Sequence, residues 1–218
     1  MTIRSPRGEI YFTLSELFKP PVHDFVFQLH GGEVKRKMDS WLHSVCEGFL
    51  FPSLGSEPAT PEELFIEMKG EYHSLFEGPI IPFAPLIESV YKPWDKDGSS
   101  IVGTAHGHIM GYPALDMKRR YEMRGIEIPT EYSHALDHLT LLLEFFAIEI
   151  EVAPAGELDE FAKSHLDWIE AFVKEALKTG KAQRYQPIME FMGSFIKKDA
   201  FHAGFALGGD PRCAKRRL

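Results

Sequence analysis

Two cysteines, Cys46 and Cys213, are too few for a disulfide framework or a cysteine zinc site. Basic residues are outnumbered, 24 Lys and Arg against 32 Asp and Glu, and the net charge is −8. Without a positive field the chain is unsuited to general nucleic-acid binding and suits basic or neutral partners. No apolar run reaches the length of a membrane span, because Glu144, Glu149 and Glu151 cut the longest stretch. The opening MTIRSPRGEIYF has no apolar segment of the signal-peptide kind, so a soluble, cytoplasmic protein is expected. P-loop, dinucleotide fingerprint, G-x-S-x-G and H-E-x-x-H are all missing. Alternating strand patterns and internal repeats are missing too.

What is present is helical periodicity, in a 218-residue chain with 44% hydrophobic residues. Ile10, Leu14, Leu17 and Phe18 share a face, and Pro20-Pro21 stops that helix. His23 to His30 reads as a short helix, broken at Gly31-Gly32. Glu33 to Cys46 follows, with Val34, Met38, Trp41, Leu42 and Val45 as its stripe. Thr60, Pro61 and Glu63 form an N-cap, a first-turn proline and a capping box. The helix they open carries Leu64, Phe65, Met68, Tyr72, Leu75 and Phe76, and Gly78-Pro79 ends it. Residues 77–112 hold five glycines and four prolines with little periodicity, the length of connection usually tied to function. Further helices are expected over Pro113–Arg124, about Leu136–Val152, Glu157–Thr179 and about Tyr185–Phe205. The fold class is all-α: one helical domain with halves at about 1–128 and 134–205, a bend between about 126 and 136, and a mobile basic tail at 206–218. Two halves on a short hinge can exchange between protomers, so a monomer with a minor domain-swapped dimer is expected.

Candidate chemistry is sparse. His134 and His138 lie four apart and Glu131 completes one E-x-x-H, but a di-iron bundle needs that pair twice. This keeps a small metal protein or enzyme using His134, His138 and Glu131 as the alternative reading. His106 and His108 read as solvated loop residues, and Cys46 as packing.

The segment EYHSLFEGPIIPFAPLIESVY at 71–91 resembles the Y-x-x-L-F-x-G-P…P…S-V-Y signature of the TorD/DmsD/NarJ family of molybdoenzyme chaperones. Four other stretches are similar to family segments. These are the opening IYFTLSELFKPP, Tyr121 with Gly125, DHLTLLLEFFAIEI beginning at Asp137-His138, and HLDW at 165–168. The proline common in the family before the Asp-His pair is missing. The resemblance implies a TorD-like helical bundle and a dedicated chaperone without catalytic activity or cofactor. It would bind the twin-arginine signal peptide or the apo form of a molybdenum-containing oxidoreductase, assisting cofactor insertion before export. It also implies a peptide site at Tyr72, Leu75, Phe76, Gly78, Pro79, Pro85, Ser89, Tyr91, Asp137 and His138. Leu86, Val90 and Trp94 would add apolar surface, and Glu71, Glu77, Glu88 and Asp137 would be partners for the leader arginines. For each a plainer role is open: Leu75 and Phe76 as core, Ser89 and Tyr91 as loop pins, Asp137 as a helix cap.

Overall fold

The computed structural model describes residues 4–54, 60–78, 81–95 and 106–201. Helix α1 (Pro6–Leu17) is capped by Ser5, whose hydroxyl accepts from Gly8 N–H. Helices α2 (His23–His30) and α3 (Glu33–Val45) turn back on one another at Gly31-Gly32, where Gly32 takes φ 70°. Helix α4 (Pro61–Tyr72) opens with the expected capping box between Thr60 and Glu63, and then widens into a π turn at His73–Glu77. A four-residue turn, α5 (Glu88–Tyr91), and α6 (Tyr112–Arg124) follow, α6 ending at Gly125 with φ 65°. After a 3-10 turn at Thr130–Tyr132 come α7 (Leu139–Val152), α8 (Ala155–His165), α9 (Ile169–Lys178) and α10 (Tyr185–Phe201). The basic tail at 206–218 lies outside the described residues.

One expected element divides. The helix read over Glu157–Thr179 is two, α8 and α9, because the chain breaks at Leu166–Trp168. The Trp168 indole N–H donates to the His165 carbonyl at 2.9 Å, satisfying an orphaned acceptor at the end of α8. The break turns His165 inward and lays Trp168 against Tyr91. Periodicity alone did not show it, since apolar residues continue at helical spacing across the junction.

Two helical regions are joined by the linker at 125–138, and the apolar core is continuous across them. α7 is apolar on nearly every face: Leu139, Leu141, Leu142, Leu143, Phe145, Phe146 and Ala147 are all buried. A helix of that kind must be covered on all sides. α1 packs along it, with Tyr11 edge-on to Phe146 at 4.8 Å. Tyr11 and Arg7 also bind Asp199, fastening α1 to α10. Phe18, Tyr72, Phe76, Phe172 and Tyr185 form an aromatic cluster that joins α1 and the end of α4 to α9 and α10.

Candidate functional site

The Gly-Pro segment is built on the π turn. Tyr72, Leu75 and Phe76 are buried, and Tyr72 donates its hydroxyl to the Phe18 carbonyl at 3.3 Å. Phe76 sits among four aromatic rings. Gly78 admits no side chain, since a Cβ there would lie 2.8 Å from the Ser74 carbonyl oxygen. Pro79 lies outside the described residues. The segment then returns to the turn, with Ala84 N–H donating to the Leu75 carbonyl at 2.7 Å and Pro85 half-buried beside it. Lys181, between α9 and α10, donates to the carbonyls of Ser74 and Pro82 and holds both sides of the loop.

Beyond Pro85 the chain pairs with the entry to α7. Leu139 N–H donates to the Leu86 carbonyl, and Glu88 N–H donates to the Asp137 carbonyl, a single antiparallel bridge between Ile87 and His138. Asp137 is fully buried, and its Oδ2 accepts from both the backbone N–H, at 2.6 Å, and the hydroxyl of Ser89. The Ser89 hydroxyl in turn accepts from Gly111 N–H. Burial pushes the Asp137 carboxyl up, and the Ser89 hydrogen bonds pull against it. His138 is the N-cap of α7; its Nδ1 accepts from Thr140 N–H and from the Thr140 hydroxyl. Burial brings its pKa from 6.5 down to about 4, so the ring is neutral.

A second buried group lies next to the first. His165 is fully buried and points Nδ1 at Glu88 and Nε2 at Asp116, both at 2.9 Å. With a carboxylate at each nitrogen, both must donate, so the ring is an imidazolium. Burial alone would lower its pKa; hydrogen bonds to Asp116 and Glu88 outweigh it and raise the value. The His165 hydrogen bond holds Asp116 well below the usual carboxylate range. Arg120 extends the chain from Asp116 to Glu160. Lys92 pairs with Glu88 at 2.8 Å and with Asp167 at 2.5 Å, and donates to the Ser164 carbonyl. Tyr91 stacks on Trp168 at 5.1 Å. The loop, α6, α7 and the α8–α9 junction therefore meet in one polar seam.

Three of the four carboxylates considered for leader arginines are engaged inside the fold. Asp137 and Glu88 are in the seam, and Glu71 accepts from the N–H groups of Arg184 and Tyr185, capping α10. Glu77 is 50% exposed and meets His73 across the turn. Among the residues of the metal alternative, Glu131 and His134 are exposed, and His138 has its Nδ1 committed to Thr140. No group of three or more metal-ligating side chains comes together among the described residues. Sequence reasoning missed Lys92, Asp116, Arg120, Lys181 and the inward role of His165. The HLDW stretch and helical spacing with Phe161, Trp168 and Phe172 were the signals available for His165. Glu88–Lys92 and Asp116–Arg120 are i,i+4 pairs of opposite charge, and nothing local marks Lys181.

An open feature lies on the far side of Leu166. A groove of about 640 Å³ runs between α9 and α10, lined by Leu166, Ile169, Val173, Leu177, Gly193 and Ile196. A smaller depression of about 350 Å³, with Phe49, Leu50, Pro52 and Phe191, shares Glu190 and Ser194 with it.

A family model described as nitrate reductase delta subunit matches residues 36–179, more than half of the chain. The chain belongs to the nitrate reductase delta subunit family. A search of curated proteins returns no match. The matched region contains the π turn, the whole seam and α9, so the paired Ser89 and Asp137 and the Glu88–His165–Asp116 cluster lie within the matched residues. Membership of this NarJ/TorD-like family points to a chaperone role in molybdoenzyme maturation.

Proposed function

We propose that the chain is a dedicated chaperone of a molybdenum-containing oxidoreductase, acting in the cytoplasm. It binds the client's twin-arginine leader or its apo catalytic subunit and assists cofactor insertion before export. The family match over residues 36–179 carries this reading. Two physical features support it. The all-helical body leaves an apolar groove of about 640 Å³ open, of the size that takes ligand side chains. The chain is also acidic, which favours encounter with a cationic peptide.

An apolar leader segment buries several large side chains, each worth about 1.5–3 kcal/mol when fully buried. Ordering the peptide offsets part of that, so a Kd of roughly micromolar is expected. Calorimetric titration of the chain with the leader of its client, against a scrambled peptide, tests the binding. Molybdenum content of the client purified with and without the chaperone gene tests the maturation role. Equal affinity for leader and scramble, together with unchanged molybdenum content, rejects the reading.

A further inference from the structure

We propose that the groove between α9 and α10 is the docking site of the leader, with an arginine held at Glu190 and the apolar stretch lying along the floor. The proposal rests on the reading of the chain as a leader-binding chaperone, and places the contact away from the Gly-Pro loop.

The floor is a continuous stripe. Ile169, Val173 and Leu177 recur at four-residue steps along α9, with Leu166 just before it, opposite Gly193 and Ile196 of α10. Leu166, Ile169 and Ile196 are buried beneath, and Val173, Leu177 and Gly193 are the partly open surface. A ten-residue helix is about 15 Å long, so the floor accepts a segment of comparable length in helical form. Gly193 keeps it open. Glycine inside a helix is about 1 kcal/mol worse than alanine. Packing does not demand it here, because a Cβ at 193 would meet only Val173 Cγ2, at an ordinary 3.7 Å. A longer side chain at 193 would occupy the groove itself.

The lips decide which end takes the cation. Asp167 is already paired with Lys92, and Glu170 with Lys197. Glu190 is exposed, and the partner described for it is the Gln186 amide, a neutral donor. A guanidinium arriving at Glu190 therefore gains a carboxylate without displacing a lysine. Lys174 lies on the α9 lip and is exposed; a lysine there can lay its methylene stem along an apolar wall while its ammonium stays in water. Beyond Glu190 the second depression presents Leu50, 70% exposed, and Phe49. The path thus runs apolar, acidic, apolar, which suits a peptide with a cationic step beside a greasy stretch.

The test uses the full chain and a fluorescein-labelled synthetic peptide carrying an Arg-Arg pair followed by a Leu/Ala-rich stretch. Binding is read by anisotropy, folding by thermal melting and association state by light scattering. Gly193→Leu should weaken binding by roughly tenfold or more while the melting temperature holds or rises. Gly193→Ala, which adds only a methyl, should bind within about twofold of the parent. Glu190→Gln should lose up to about fivefold at low salt and little at high salt. Val173→Glu, which charges the floor, is the second blocking variant should Gly193→Leu fold poorly. If the parent binds the peptide and both blocking variants bind equally well, the groove is overturned while the chaperone reading stands. If the parent fails to bind, that reading fails and the groove assignment falls with it. If the parent is a dimer that Gly193→Leu converts to monomer, the groove is an interface between copies and the proposal is overturned.

Discussion

The polar seam and the α9–α10 groove meet at Leu166–Trp168 and are opposite in construction. In the seam Glu88, Asp116, His165 and Lys92 are withdrawn from water and each carries an opposite charge at contact distance. In the groove Val173 and Leu177 stay partly exposed, and Gly193 faces the Val173 side chain with room for no more than a methyl before contact. Withdrawing charges costs several kcal/mol per ion, so such a cluster holds only when geometry satisfies every member. Its return is a fixed arrangement of the loop, α6, α7 and the α8–α9 junction. The groove gains nothing from remaining open in the isolated chain. The residues of the family-like signature that carry charge or hydroxyl groups mostly frame the fold, and the surface left for a partner is made by side chains with no motif.

The largest effect expected is therefore at the seam. His165→Ala leaves Glu88 buried with one partner instead of two and should cost about 3–5 kcal/mol. Phe76→Ala, which opens a hole among four rings, should cost a similar 3–5 kcal/mol. Urea denaturation measures both. Losses below 1 kcal/mol would mean that the seam and the aromatic cluster are not what holds the loop. Leader affinity, measured where each variant is still folded, should stay near the parent value if the groove alone makes the contact.

The pH dependence separates the two histidines of the seam. His138 is held neutral, with its pKa lowered from 6.5 to about 4. Its contribution is present above 6.5, the unfolded value, and is lost as pH falls towards 4. The shift corresponds to about 3 kcal/mol. His165 has the opposite sign: its pKa is raised, so its contribution is complete below 6.5 and is lost as pH rises through the folded value. Between about pH 6.5 and 4 the His165 contribution is constant, and the slope combines the His138 contribution with opposite-signed contributions from Asp137, Glu88 and Glu71, whose carboxyls burial raises. Asp116, held low, loses its share only below about pH 4. His138→Asn keeps an oxygen that can accept from Thr140 N–H as a helix cap. It should take the His138 contribution out of the slope in that window, and an unchanged slope would mean that the other groups alone titrate there.

Asp137→Ala comes next. It strips the acceptor from the Ser89 N–H and hydroxyl, leaving buried donors unmet at a cost of about 1–3 kcal/mol. Thermal melting reads that cost and peptide titration reads the rest. A large loss of leader affinity with little change in melting would show that Asp137 reaches the client and that the seam opens on binding.

Why these roles were only partly legible follows from distance along the chain. Helix starts and stops are local chemistry: Thr60, Pro61 and Glu63 announced their capping box, and Gly125 its left-handed turn. The resemblance around Ser89, Tyr91 and Asp137 picked out residues that do come together, although Ser89 and Asp137 are 48 positions apart. His165, which Glu88 meets, is 77 positions from it, and the Ser74 carbonyl that Lys181 meets is 107 away, and no spacing rule reaches so far. The division of α8 from α9 was hidden because the indole that ends α8 is itself an apolar residue at helical spacing. The groove was hidden for a further reason. Val173, Leu177 and Gly193 line one groove only once α9 and α10 are packed together, and nothing in either helix alone states that.

The smallest expected effect is at Glu77, and it is the finest test of the contrast. Of the four carboxylates considered as arginine partners, Glu77 is the one whose charge is open to water, 50% exposed and 3.1 Å from His73. That histidine is itself largely exposed, so the pair is screened. Removing it by Glu77→Gln should change stability by no more than about 0.5 kcal/mol. If leaders dock in the groove, Glu77 contributes only to the long-range field. Its substitution should then slow association slightly at low salt and leave dissociation unchanged. If leaders instead lie along the Gly-Pro loop, Glu77 contacts an arginine, and the substitution should speed dissociation by up to about fivefold at low salt. Screening at about 1 M salt shortens the Debye length to about 3 Å and should erase either effect. Stopped-flow mixing at two salt concentrations reads the two rates separately. Faster dissociation with Glu77→Gln, paired with no effect of Gly193→Leu, would move the binding surface back to the loop.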